Sequence, residues 1–158
     1  EKGGGHKMAG GFTIKEKNIP IFRDLLIKNF EKKCANFSKD LNLYLDAVIA
    51  PSSLNEKFFH EINCLAPYGP GNNEPKFAIE NIKVISSNIV GNDHIISILS
   101  GKDGTTFRGF AWNAKNTPLE PLLNRNNKQR INIAGKMKLN EWRGEKKVEF
   151  MIEDISKN

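Results

Sequence analysis

At 158 residues, 39% hydrophobic and 9% aromatic, the chain suffices for one good core or two small ones and is too apolar for a disordered segment. With no apolar run of about 18 residues and no charged-then-apolar leader, neither a membrane-spanning helix nor a signal peptide is expected. The net charge of +6 and pI near 9.3 point toward a polyanion as partner.

The first stretch, GGGHKMAGG at 3–11, places three glycines, a histidine and a lysine together. Glycine admits positive φ and close approach, and consecutive amides turned one way form an anion-binding nest. A helix opening over His6 to Met8 would add the dipole at its start, with His6 donating to a phosphate oxygen and Lys7 supplying charge. The competing reading is a flexible glycine-rich end.

GFTI then reads as a short strand, and 20–34 as a helix with Pro20 in its first turn and Phe22, Leu25, Leu26 and Phe30 on one stripe. LNLYLDAVIA at 41–50 alternates as a second strand, and PSSLNEKFFHEINCL reads as a helix capped by Ser52 or Ser53 with Glu56 in a capping box. Strand, helix, strand, helix is an α/β layer, thin with two strands. Cys34 and Cys64, a lone pair of cysteines, suit a reducing cytoplasm and are expected as buried free thiols.

LAPYGPGNNEPKF at 65–77 holds three prolines and two glycines, so it reads as a linker or ordered hinge. From there the period changes to two. Five strand-like runs come next, FAIENIKVISSNIVG, DHIISILSG, TTFRGFAWNA, QRINIAGKMKLNEW and EKKVEFMIEDIS, with PLEPLL as a small helix between the third and fourth. That order is the order of an OB-fold barrel, a frequent single-strand nucleic-acid binder, although other small barrels share the strand count. The expected organisation is α+β: a truncated α/β layer over 1–64, a linker over 65–76 and a five-stranded barrel over 77–158.

Charge concentrates late in the chain. Between Arg125 and Lys147 eight basic residues face two acidic ones, Glu141 and Glu145. In the fourth run Ile131, Ile133, Met137 and Leu139 should face inward with Asn132, Lys136 and Lys138 outward, and in the fifth Val148, Phe150 and Ile152 should face inward. The candidate nucleic-acid contacts are therefore Arg108, Lys136, Lys138, Trp142, Arg143, Lys146 and Lys147. Trp112, Phe110, Phe107 and Trp142 are candidates for base stacking, with core packing as the default for strand aromatics and Phe107 and Phe110 on opposite faces. His60 and His94 read as structural or solvent-facing.

GGGHKMAGGF at 3–12 resembles the signature of the DHHA1 domain of the DHH phosphoesterases. LAPYGPGNNEPKF resembles the L-x-P-[FYW]-G-x-G-N-x-E-P-x-F segment of the RecJ family of single-strand-specific 5′-exonucleases, and AGKMKLNEWRGEKKVEFMIEDI at 134–155 is similar to that family's barrel hairpin. The resemblance covers essentially the whole chain. It implies that Gly3, Gly4, Gly5 and His6 contact the phosphate of bound DNA; Lys7 is added from charge and position.

The resemblance further implies a C-terminal portion of a 5′-to-3′ exonuclease of DNA repair and recombination, bacterial and cytoplasmic, with single-stranded DNA and possible single-strand DNA-binding protein as partners. The family's hydrolysis uses Mn2+ or Mg2+ held in an N-terminal DHH domain. No Asp-His-His tripeptide occurs here, the three histidines are widely separated, and Asp24, Asp40, Asp46, Asp93, Asp103 and Asp154 share no ligand spacing. No metal or other cofactor and no catalytic residue is therefore expected in this chain, which alone should be inactive. The alternative is an architectural or protein-interaction module meeting an acidic partner.

Overall fold

The computed structural model describes residues 2–6, 9–34, 42–142 and 144–157, and the side chains of 33, 34 and 142 lie outside that description. Contacts divide the chain into two units, Glu1–Leu43 and Tyr44–Asn158.

In the first unit β1 (Lys2–His6) and β2 (Ala9–Thr13) form an antiparallel hairpin that pairs Gly4 with Gly11 and His6 with Ala9. A short 3-10 turn, Glu16–Asn18, leads into α1 (Ile19–Cys34), with Pro20 in the first turn, where a missing N–H costs nothing. Phe12 of the hairpin meets Phe22 of the helix with ring centroids 4.5 Å apart. Leu25, Leu26 and Phe30 lie more than half exposed. Among the described residues the unit is a hairpin with one helix; the second strand and second helix of the expected α/β layer are not part of it.

Those two segments belong instead to the second unit, which is why the division falls after Leu43 and not after residue 64. Only Ala47–Val48 of the 41–50 run is a strand, β3, and it pairs in parallel with the start of the barrel, Ala47 opposite Phe77. The bond from Ile49 N to Ala78 O at 2.9 Å continues the attachment. Residues Pro51–Ser53 spend themselves on a 3-10 turn, so the next helix, α2 (Glu56–Asn63), begins later than expected. Its cap is Asn55, whose side-chain oxygen accepts from Phe58 N at 2.9 Å, in place of Ser52 or Ser53. Phe58, Phe59 and Ile62 of α2 pack on the barrel core, a contact that ties 44–63 to the strands after residue 76. Cys64, just after α2, is exposed, contrary to the buried thiol expected, because the helix turns its Phe58, Phe59 and Ile62 side chains to the core. Cys34's side chain lies outside the described set.

The barrel strands are β4 (Phe77–Val90), β5 (His94–Ser100), β6 (Thr106–Ala111), β7 (Ile131–Trp142) and β8 (Glu145–Lys157), with α3 (Leu119–Leu123) between β6 and β7. The order β4-β5-β6-β8-β7, closed by pairing of β4 with β7, is a five-stranded mixed barrel of OB type. Within the barrel all pairs are antiparallel except β6 with β8, and β3 adds a sixth strand, parallel to β4. Closure leaves strand side chains inside: Ile79, Ile82, Leu99, Ile131 and Phe150 are fully buried, joined by Ile133, Met137 and Ile152, and Leu123 of α3 is buried with them. Each such side chain contributes about 1.5–3 kcal/mol on leaving water. Leu139 and Val148, nearer the hairpin tip, are half-buried.

The β7–β8 register shifts between Ala134 and Gly135, and there the strands come unusually close. A Cβ on Gly135 would lie 1.9 Å from the carbonyl oxygen of Met151, so only glycine fits.

Candidate nucleic-acid interface

Gly3, Gly4, Gly5 and His6 all lie on β1 and are exposed. No left-handed φ occurs among these glycines, and in an extended strand successive amides point to opposite sides, so no nest forms over them. His6 ends a strand instead of opening a helix. Glycine serves close pairing here: a Cβ on Gly5 would sit 2.8 Å from the carbonyl oxygen of Ala9 and from Gly10 Cα. Lys2 and His6 are the exposed basic side chains described on β1. Lys7 lies outside the described residues.

The barrel cations face outward as the alternation predicts, yet they are not free. Lys136 Nζ lies 3.1 Å from Glu74 and 3.8 Å from Glu153, Lys138 Nζ lies 2.7 Å from Glu74, and Lys76 reaches Glu153 at 2.6 Å. This chain of five charges crosses β7, β8 and the 65–76 segment. Arg108 is 2.9 Å from Glu149, which also accepts from Asn140 at 2.8 Å. Lys146 pairs with Glu141 at 2.8 Å and Lys147 with Glu145 at 2.9 Å. The last two pairs are too exposed to add much stability.

Titration follows the pairing. Burial pushes the Glu74 carboxyl up, but hydrogen bonds and charge from Lys138 and Lys136 outweigh it, leaving it below the ordinary value. A hydrogen bond from Lys147 lowers Glu145, and one to Glu141 raises Lys146. Arg143 lies outside the described residues, and of Trp142 only the backbone is described, paired with Glu145.

Residues 65–76 are an ordered loop of the barrel unit more than a spacer. Asn72 Nδ2 donates to the carbonyls of Leu65 and Pro67 at 2.9 and 3.0 Å, Tyr68 Oη donates to Ile62 O at 2.6 Å, and Gly69 and Asn72 exchange backbone bonds. The loop thereby delivers Glu74 to β7. Nothing in local sequence periodicity signals that partnership.

Phe107 points into the core, and Phe110, on the other face, does not. Register places Ile95 of β5 beside Ala111 and Ile96 beside Phe110, which brings His94, at the start of β5, near Trp112 in the turn just after β6. The three rings meet: His94 to Trp112 at 4.3 Å, Phe110 to Trp112 at 4.8 Å and His94 to Phe110 at 5.8 Å, the first two near-perpendicular. His94 Nδ1 accepts from Asn113 N at 3.1 Å, which leaves the ring proton on Nε2. Trp112 is 59% exposed. Alternation put Phe110 and Trp112 on one side of the chain, but nothing local showed that His94 would join them. His60 lies exposed on α2.

Along the same outward face, a groove of about 720 Å³ is lined by Ile98, Arg108, Asn140, Lys147 and Glu149 among others. Among the described residues no three His, Cys, Asp or Glu side chains are grouped to hold a metal ion.

The model of one protein family, the RecJ OB domain, matches residues 45–154. The chain belongs to the RecJ OB domain family. That match begins next to the division between the two units and covers α2 and the 65–76 loop together with the barrel, in keeping with their packing. The chain is 27% identical over 156 residues to the single-stranded-DNA-specific exonuclease RecJ of Bacillus subtilis, covering 97% of this chain and 19% of that protein. Against its counterpart in Thermus thermophilus identity is 28%, over 98% of this chain and 21% of that one. The crystal structure of the Thermus thermophilus RecJ in complex with Mn2+ superposes with a TM-score of 0.65 at 25% identity, covering 99% of this chain and 22% of that one. This chain thus spans about a fifth of the length of these RecJ relatives.

Proposed function

We propose that this chain is the DNA-holding, C-terminal portion of a RecJ-type exonuclease that degrades single-stranded DNA in the 5′-to-3′ direction during repair and recombination in the bacterial cytoplasm. The observation that carries the reading is the closed OB barrel matched by the RecJ OB domain from 45 to 154, in a chain whose relatives are single-stranded-DNA-specific exonucleases. In this reading the barrel guides the strand, and Gly3, Gly4, Gly5, His6 and Lys7 receive a phosphate. Hydrolysis belongs to an N-terminal DHH domain of the same polypeptide that holds Mn2+ or Mg2+. Single-strand DNA-binding protein is the expected protein partner.

Ion pairing argues against the β7–β8 lysines as the main hold on the strand. Because Lys136, Lys138, Lys146, Lys147 and Arg108 are each engaged by a carboxylate, the hairpin's net field is weaker than its lysine count suggests. The same pairing weakens the architectural alternative, which needs free cations there to meet an acidic partner. Anisotropy of a labelled single-stranded oligonucleotide, titrated at low and high salt, tests the proposal: binding at low salt that falls with salt supports it, since phosphate neutralisation releases counterions. Absence of binding at low salt would favour the architectural module.

A further inference from the structure

We propose that His94, Phe110 and Trp112, with Lys115 at their rim, form a base-stacking site for single-stranded nucleic acid on the outward face of β5 and β6. The inference rests on the DNA-binding reading above and assigns the position at which a base is held.

Three observations converge. The rings pack on one another within 6 Å, so each braces the next and the cluster is formed before anything binds, which lowers the ordering cost. Trp112 nevertheless keeps 59% of its surface exposed and Phe110 is only half-buried, whereas Phe77, Phe107 and Phe150 of the barrel strands are buried. So large an apolar surface left in water marks a contact site.

The third observation is charge. Lys115 lies just beyond β6; its amide donates to Asp93 O at 3.0 Å and its ammonium to Asn92 O at 3.2 Å, both in the turn that precedes His94. No carboxylate pairs with it among the described residues, whereas every described cation proposed from sequence has such a partner. A preformed aromatic surface bordered by one uncompensated cation matches a nucleotide, which carries a π face and a phosphate in a single unit. The Nε2 proton of His94 adds a donor for a base edge. Beyond Phe110 the face continues over Ile96 and Ile98 toward Arg108 and the groove beside Lys147, leaving a path for the neighbouring nucleotides. The site occupies the second and third strands of the barrel, the face on which OB folds present ligands.

The test uses the whole 158-residue chain with Trp142→Phe, so that Trp112 is the remaining tryptophan. Titration with oligothymidylate should quench its emission, and an abasic oligonucleotide of equal length should not. In the otherwise unaltered chain Trp112→Ala should weaken oligothymidylate binding about tenfold while leaving abasic binding unchanged, with Trp112→Phe intermediate. Lys115→Ala should lower the salt slope by about 0.7. Thermal melts confirm that the variants fold. Binding without quenching, or equal affinity of Trp112→Ala and the unaltered chain, would overturn this site and leave the DNA-binding reading standing. An aromatic-bearing peptide that binds Trp112 while oligothymidylate does not would assign the face to a protein partner and overturn it too. Failure of the unaltered chain to bind any oligonucleotide would overturn both.

Discussion

Glu74 reaches across 64 residues of sequence to Lys138, its Oε1 lying 2.7 Å from the lysine Nζ, while its other oxygen takes Lys136. One carboxylate on a proline-rich loop thereby occupies the two lysines that the sequence offers most plainly to phosphate. Glu74→Gln should cost about 1–2 kcal/mol at neutral pH, read as a lower urea midpoint. The difference should shrink in acid. Glu74 in the fold has a carboxyl below its ordinary 4.5, so its stabilisation is present above that value and is lost as pH falls through the folded value. The same variant should bind single-stranded DNA more tightly at low salt, with a steeper salt slope, because two ammonium groups are released.

Gly135 is held against Met151 at the register shift between β7 and β8. Gly135→Ala should destabilise the barrel by about 3 kcal/mol, since the clash is with backbone that cannot move aside. Chemical denaturation checks it. Gly4→Ala, whose Cβ would meet nothing within 4 Å, should leave the barrel's transition unchanged.

Asn72 ties the loop to itself through two carbonyls. Asn72→Ala should raise hydrogen exchange and protease cleavage across 65–76 while shifting the barrel's melting little, because the bonds lost are exposed and local. An unchanged exchange pattern would mean that Tyr68, Glu74 and the Gly69–Asn72 backbone bonds hold the loop without the Asn72 side chain.

His6 and the barrel lysines should separate in a longer RecJ-type protein that carries this chain. His6→Ala is expected to depress cleavage much more than Lys136→Ala, while Lys136→Ala with Lys138→Ala should lower stability by leaving Glu74 unpaired and change cleavage little. Equal loss of turnover from both would contradict that division. Manganese added to the 158-residue chain should yield no digestion of a labelled oligonucleotide, and digestion by a clean preparation would mean that the metal site lies within these residues.

The strand count, the strand order with its small helix, and the inward set of Ile131, Ile133, Met137, Phe150 and Ile152 were all readable from the sequence, because a period of two and its turns are local properties of the chain. So was the separation of Phe107 from Phe110, one buried and one not. The attachment of 44–63 to the barrel was not, since Ala47–Val48 gains its partner, Phe77–Ala78, about thirty residues later. Nor was the fate of the lysines. Alternation dictates that Lys136 and Lys138 point outward, but whether they meet water or Glu74 depends on where a distant loop comes to rest. The tertiary structure alone decided which charges cancel and which rings touch, because electrostatic and aromatic contacts act between atoms close in space and carry no periodic trace along the chain.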